Sequence, residues 1–348
     1  MFVFPLGTAF ALFFVWLWRG RDDKATLSTA GKWQETLRLS PAQIGTLVDA
    51  TCDGRDIVAT LVDLAARGFL SIEEVGCGDL LLKPDDLRFV RCDNAPPVER
   101  LKKHERLFLD ALFDPQPPDI ERDKRPANSN LRDDAWNETA LSLLKNKFYR
   151  HLPALRGEIY ASLMREGLFF RDPQATSAFF GSVGAYLLIA GVQLLRRDLN
   201  LDDSGFSRGL IWFPLGIILS ALVWRGSARF MPARTALGTL KVEQSHGLTA
   251  WVREIPLPAL RAHLAKDASL FERLLPYTIV LGVAPLWAQK CARCDVGRPL
   301  WFASEAGAGD DLPAFVARLA GDLKTVEGVF ASAPPRHFTS KDEREEHF

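Results

Sequence analysis

Three strongly apolar runs without a charge interrupt a chain that is otherwise amphipathic. The first, Phe2 to Trp18 (FVFPLGTAFALFFVWLW), has seventeen residues and as an α-helix is about 26 Å long, which just spans a thin hydrocarbon core. Two more, Ala178 to Leu195 and Leu210 to Trp224, are joined by a short polar segment and predict a helical hairpin, because each crossing must satisfy its own backbone hydrogen bonds in lipid. The second contains Pro214 and is short, but it lacks the charged face of an ordinary soluble helix. Gly181, Gly184, Ala185 and Gly191 recur on the first hairpin helix, as expected where two membrane helices approach closely and also as ordinary membrane-helix composition.

Outside these runs the pattern is that of soluble helices and short strands. Ser40 and Pro41 supply an N-cap and a first-turn proline for a helix to about Ala50. Asp53 or Arg55 opens a second, with Ile57, Leu61, Leu64 and Ala65 on one face and Gly68 as its stop. Phe69 to Val75 and Asp79 to Lys83 then read as two strands around the turn Gly76-Cys77-Gly78. Two short helices leading into a hairpin is the order of a winged-helix module. Leu101, Leu107, Phe108, Ala111 and Leu112 predict an amphipathic helix ended by the proline-rich DPQPPD, and residues 131 to 167 carry two more, broken at Pro153. The second ends in LMREGLF (163 to 169), an echo of LAARGFL (64 to 70), which leaves a repeated unit open. Helices are also predicted over 257–265, 270–281 and 312–330, with a polar tail after Ala331.

Charge sets the orientation and limits the partners. Arg19, Arg21 and Lys24 follow the first run and no basic residue precedes it, which favours an uncleaved anchor over a signal peptide, with Met1 outside. Arg165, Arg171, Arg225, Arg229, Arg234 and Lys241 lie on the same proposed side, against Arg196, Arg197 and Arg208 in the hairpin loop. The stretch Arg225 to Lys241 reads as a basic ramp for anionic lipid head groups or, equally, as a topology signal. The whole chain of 348 residues balances 43 basic against 43 acidic residues, and the winged-helix-like stretch from Ser40 to Ala95 carries five basic against ten acidic. A net negative wing repels a phosphate backbone, so nucleic acid is not the expected partner and a protein-interaction or structural wing is the better reading.

Candidate chemistry is sparse. The five cysteines are scattered, which points to reduced thiols. Cys291 and Cys294 form a CxxC, half of a zinc site or a redox pair, which Cys77 and Cys92 would complete only if the fold brought them near; two unconnected thiols is the plainer reading. The six histidines have no ligand spacing, and there is no Walker loop, GxGxxG or GxSxG. Asp53, Asp56 and Asp63 read as a solvated helix face. The three apolar runs hold no internal charge of the kind that marks an ion path.

The run from Leu39 to Glu74 (LSPAQIGTLVDATCDGRDIVATLVDLAARGFLSIEE), with LFERLLPYTIVLGVAPLW from Leu270 to Trp287, resembles the cytoplasmic region of the YciQ-like predicted membrane proteins of bacteria and archaea, a family of unknown function. The resemblance covers about residues 10 to 290. It implies that Arg67, Gly68, Leu275, Pro276, Tyr277, Gly282 and Trp287 occupy recurrent motif positions, with no catalytic role attached to them. It also implies, in relatives, a signal peptide and an extracytoplasmic β-rich domain ahead of the first run and often a glycine-rich tail, where this sequence ends in KDEREEHF.

The expectation is therefore a mainly α membrane protein: a transmembrane helix over 1–18, a winged-helix-like (α+β) module over 25–95, a helical segment over 96–175, a transmembrane hairpin over 178–224, a helical segment over 225–330 and a polar tail over 331–348. It would be a multi-pass protein of the inner (plasma) membrane with three spans, in contact with membrane lipid and with most of the chain in the cytosol. The function expected is a membrane-tethered interaction or scaffold module with an unidentified protein partner and no cofactor. The alternatives are a membrane-bound winged-helix transcription regulator and a cysteine- or zinc-dependent enzyme, and the balance falls against an enzyme.

Overall fold

The computed structural model describes residues 3–20, 22, 33–75, 86–113, 137–200, 212–304 and 311–334. The predicted Gly76-Cys77-Gly78 turn, the strand over 79–83, the segment DPQPPD, Arg21, Lys24, Arg208 and the tail beyond 334 lie outside the described residues. The helices are α1 (Val3–Val15), α2 (Pro41–Asp49), α3 (Gly54–Ala66), α4 (Lys103–Phe113), α5 (Leu141–Leu144), α6 (Leu152–Arg165), α7 (Pro173–Asn200), α8 (Trp212–Ser227), α9 (Ala236–Glu254), α10 (Leu257–Lys266), α11 (Leu270–Val280), α12 (Ala284–Ala292) and α13 (Leu312–Ala331). The strands are β1 (Leu70–Val75), β2 (Asp86–Arg91), β3 (Glu138–Ala140) and β4 (Phe302–Ser304). The protein is mostly helical with one small mixed sheet, and it divides into two compact units: Met1–Thr60 with Arg156–Lys290, and Leu61–Leu155 with Cys291–Phe348.

In the first unit the apolar helices pack together, with α8 against both α7 and α1. Gly184 and Gly191 make the close approach: a methyl group on Gly184 would lie 3.0 Å from the Arg225 backbone nitrogen, and one on Gly191 would lie 2.7 Å from Ile218 Cγ1. Gly181 faces open space and takes no part in that contact. Only one helix, over Pro173–Arg197, is long and apolar enough among the described residues to cross a membrane, and only 11% of its apolar window is buried within the protein. The apolar helix Pro5–Trp18 is shorter, and so is α8 with 16 residues. The first run is shorter as an α-helix than its sequence predicts because α1 ends at Val15 and continues as a wider π-helical turn over Trp16–Gly20.

The rest of that unit is held by capped helices and a line of indoles. Ser40 caps α2 in a reciprocal box: its Oγ accepts from the Gln43 backbone and Gln43 Oε1 accepts from the Ser40 backbone at 2.9 Å. Gln43 Nε2 also donates to Ser162 Oγ at 2.9 Å and to Glu166 Oε1 at 3.0 Å, tying α2 to α6. Trp33, Trp251 and Trp287 succeed one another with ring centroids 4.6 and 5.8 Å apart, and Phe271 stacks on Trp287. At Gly238 the Leu168 carbonyl oxygen lies only 2.1 Å from where a Cβ would be, so α9 can start there only without a side chain.

The second unit is built on the sheet, in the order β3-β2-β1-β4. β1 pairs antiparallel with β2 and parallel with β4, and β2 pairs antiparallel with β3. α5 lies on β2, α13 lies on α5, and Phe108, Phe148 and Phe330 form an aromatic core in which the last two stack at 3.8 Å. Trp301, Phe302 and Phe315 close another side, edge to face. Where the sequence predicts two helices over 131–167, the structure has β3, the single turn α5 and then α6. Thr139 points inward and the residues around it pair with β2, while Asn146, at φ 60°, stops any continuation of α5. Pro153 does not break a helix but sits in the first turn of α6, where its missing N–H costs nothing.

Candidate functional site

The strongest concentration of unusual polar groups in the first unit lies where α2, the start of α3 and α6 meet. Ala50 takes a left-handed conformation at φ 59° and turns the chain from α2 toward α3. That turn delivers Cys52, whose backbone N–H donates to Tyr160 Oη of α6 at 2.8 Å. Asp56 follows on α3 with no solvent exposure. Its Oδ2 accepts the Asp53 backbone N–H at 3.3 Å and lies 3.4 Å from Thr46 Oγ1, while its Oδ1 is buried without a hydrogen-bond partner among the described residues. The carboxyl lies directly on α2: a methyl group on Gly45 would fall 2.0 Å from Oδ1 and 2.6 Å from Val280 Cγ1 of α11.

Burial, reinforced by the negative charge of Asp49, pushes the Asp56 carboxyl up to about 8, so it is mostly protonated at neutral pH. Burial, with Asp56 nearby, pushes the Cys52 thiol up to about 12, and burial also raises the Tyr160 phenol to about 12. An acid, a thiol and a phenol that all keep their protons form a neutral hydrogen-bonding cluster. No nucleophile is activated in it. The reading of Asp53, Asp56 and Asp63 as a solvated face is thus corrected: Asp53 is exposed, but Asp56 and Asp63 are buried, because α3 is covered on every side from residue 56 to 65.

In the second unit Arg67 clamps two buried carboxylates. Its Nη1 lies 2.7 Å from Asp63 Oδ2 and 3.1 Å from Glu105 Oε2, and its guanidinium sits over the Phe69 ring at 5.3 Å. Glu105 also accepts the Lys102 backbone N–H at 3.0 Å at the start of α4. Burial raises the Asp63 carboxyl to about 6 in spite of the opposing guanidinium. Burial works against the Arg67 cation too, but the two facing carboxylates outweigh it and hold the charge in place.

The other motif positions serve the chain in the same way. Gly68, Gly167 and Gly282 take φ 79°, 68° and 71°. Each closes a helix by one pair of bonds: Gly68 N–H to Ala65 O with Phe69 N–H to Leu64 O, Gly167 to Met164 with Leu168 to Leu163, and Gly282 to Ile279 with Val283 to Thr278. The LAARGFL and LMREGLF echo is therefore structural, although Leu70 enters the sheet whereas Phe169 makes a single bridge to Arg234. Tyr277 Oη donates to the Leu39 carbonyl at 3.0 Å, and Trp287 Nε1 donates to the Phe271 carbonyl at 3.3 Å. Leu275 and Pro276 are buried within α11.

Cys291 is fully buried at the end of α12, with its thiol pushed up to about 12 by burial and then by Cys294. The Cys294 backbone N–H closes a turn on the Cys291 carbonyl at 2.9 Å. Among the described residues no group of three or more His, Cys, Asp or Glu side chains is placed to hold a metal ion. Cys77 lies outside the described residues. The basic ramp is partly consumed inside the protein. Arg234 donates to the Leu47 and Val48 carbonyls at 2.8 Å each and pairs with Asp22 at 2.7 Å, while Lys241, its pKa lowered by burial, donates to the Glu35 carbonyl at 2.9 Å. Those two cations, singled out in the sequence for lipid or topology, bind the loose ends of the chain instead: Arg234 caps α2 where the last-turn carbonyls have no intrahelical partner.

No curated protein and no solved structure matches the chain. Residues 37–290 match the family described as predicted membrane protein (DUF2207), C-terminal domain, a span that contains α2 through α11, most of α12 and every motif residue from Arg67 to Trp287. With well over half of its length matched, the chain belongs to that family of predicted membrane proteins.

Proposed function

We propose that the protein is a membrane-tethered interaction module. α1, α7 and α8 cross the inner membrane, and the remaining helices with the small sheet form its cytosolic body. The observation that carries this reading is the use made of the motif residues: Arg67, Gly68, Tyr277, Gly282 and Trp287 all act on helix ends, backbone carbonyls or buried carboxylates of the chain itself. That the residues expected at motif positions all preserve a shape supports a body recognised by its surface. α8 supports the three-span arrangement by packing on both other apolar helices, with glycines at the α7 contact. The basic residues around the apolar runs support the cytosolic placement.

The order α2, α3, β1, β2 also fits a winged-helix module used for protein contact, as does the excess of ten acidic over five basic residues between Ser40 and Ala95. The test is chemical crosslinking and purification of the full chain from native membranes in mild detergent. The expected result is a discrete protein partner that is lost when exposed residues of the body are replaced. A chain that purifies alone, or that binds a DNA duplex with a steep salt dependence, contradicts the reading and in the second case favours a membrane-bound regulator.

A further inference from the structure

At the level where the apolar helices of the first unit give way to polar chain, a groove of about 630 Å³ opens between α1 and the start of α7. Its walls are Val15, Trp18, Phe179, Phe180 and Met231, with Phe170 at the edge. Three of these rings are largely uncovered: Trp18 is 81% exposed, Phe170 55% and Phe179 61%. Aromatic side chains gathered at the end of an apolar helix are the residues that sit at the head-group level of a bilayer. Among the described residues its charged rim is one pair of opposite charges, Arg171 and Asp172, with Thr176 beside them. Arg171 is exposed and makes no ion pair among the described residues. Asp172 uses Oδ1 to accept the Gln174 backbone N–H at 2.8 Å and its carbonyl to accept Thr176 Oγ1 at 2.8 Å, and its Oδ2 has no hydrogen-bond partner among the described residues.

We propose that this groove seats one zwitterionic phospholipid carrying a primary amine, with its phosphate on Arg171, its ammonium on Asp172 and its first acyl methylenes along Trp18, Phe179 and Phe180. The inference rests on the placement of α1 and α7 in the membrane. The charge pattern selects the class of lipid. A guanidinium recognises a phosphate with two parallel N–H donors. The adjacent carboxylate then disfavours a purely anionic head group and asks for a cation that donates hydrogen bonds. Phosphatidylethanolamine meets both demands, phosphatidylglycerol lacks the cation, and the quaternary nitrogen of phosphatidylcholine has no N–H to donate. The volume is in the range of sites that hold small organic ligands, enough for a head group and glycerol while the acyl tails stay among their neighbours.

The experiment is native mass spectrometry of the full chain in mild detergent, with phosphatidylethanolamine, phosphatidylcholine and phosphatidylglycerol offered in turn. The expected result is one phosphatidylethanolamine retained with about tenfold preference over the other two, a free-energy difference of about 1.4 kcal/mol. Arg171→Ala should abolish retention of all three. Asp172→Asn keeps the helix cap and, with the carboxylate charge gone, should erase the preference over both phosphatidylcholine and phosphatidylglycerol while leaving retention itself in place. Equal retention of the three lipids by the unaltered chain overturns the proposal, and so does retention that Arg171→Ala leaves unchanged. A chain that leaves membranes without detergent fails earlier and overturns the anchoring as well, so the two failures are distinguishable.

Discussion

Asp56 and Asp63 lie seven residues apart on α3, both withdrawn from water, and they differ in what faces them. Asp63 meets a guanidinium at 2.7 Å that also holds Glu105. Asp56 meets the backbone of α2 at Gly45 and a threonine hydroxyl at 3.4 Å, with no ion-pair partner and one oxygen unpartnered among the described residues. Burial raises both carboxyls, to about 6 where a guanidinium in contact opposes it, and to about 8 where Asp49 reinforces it and Arg55 opposes it without an ion-pair contact. The first is a structural charge whose partner must stay, and the second is a neutral acid at pH 7. Depth alone does not separate them; the opposing charge does.

The comparison breaks most readily at Arg67. Arg67→Ala leaves two buried carboxylates without their cation, and the expected loss is about 3 kcal/mol of stability, read from chemical denaturation in detergent. Arg67→Lys should recover less than half of that, because an ammonium does not reproduce the planar guanidinium that places Nη1 between both acids while its face lies on Phe69. Full recovery by lysine would remove the distinction between the two sites.

Asp56→Asn is the next largest change and it is visible in the pH dependence. The folded carboxyl titrates near 8 and the unfolded one near 3.8, so the folded state binds more protons between those values. Stability contributed by the neutral acid is complete below the unfolded value and falls as the pH rises toward 8, by at most about 1.4 kcal/mol per unit. On this account Asp56 alone should cost the unaltered protein about 2.6 kcal/mol between pH 5 and pH 7. In Asp56→Asn the fall should be confined to the window below about 6, where Asp63 titrates. A profile identical to that of the unaltered chain would mean that Asp56 is ionised in the fold.

Gly45→Ala sharpens the same point through shape. The added methyl meets the Asp56 carboxyl and Val280, and the expected cost is about 1.5 kcal/mol, a typical value for an overpacked site. Thr46→Val should change stability least, by about 0.5 kcal/mol, since a 3.4 Å contact is a weak hydrogen bond. A larger loss would give Thr46 a greater share in holding the acid than its geometry allows.

Much of the helical frame is legible in the residues. Ser40-Pro41 marks the start of α2, Gly68 and Gly282 mark left-handed stops, and the small residues of α7 mark its approach to α8, because each follows from chain geometry within a few positions. The two three-residue strands β3 and β4 are not legible. Neither is long enough to display a period of two, and their partners lie far away in the chain. The buried acids escape for a related reason. An apolar stripe at Ile57, Leu61, Leu64 and Ala65 implies a polar opposite face, but α3 has no exposed face between residues 56 and 65, and only the fold brings Glu105 to Arg67. Arg234 and Lys241 read as membrane-facing cations until the carbonyls they serve are in place.

The central claim is that three apolar helices hold the polar parts of the chain on one side of the membrane, and the sidedness of single cysteines in an otherwise cysteine-free full chain tests it most directly. Val98→Cys and Leu300→Cys, at exposed positions, should both resist a membrane-impermeant maleimide in intact cells and react once the membrane is opened, while Arg208→Cys should react at once. Labelling of Val98→Cys and Leu300→Cys on opposite sides would contradict the account.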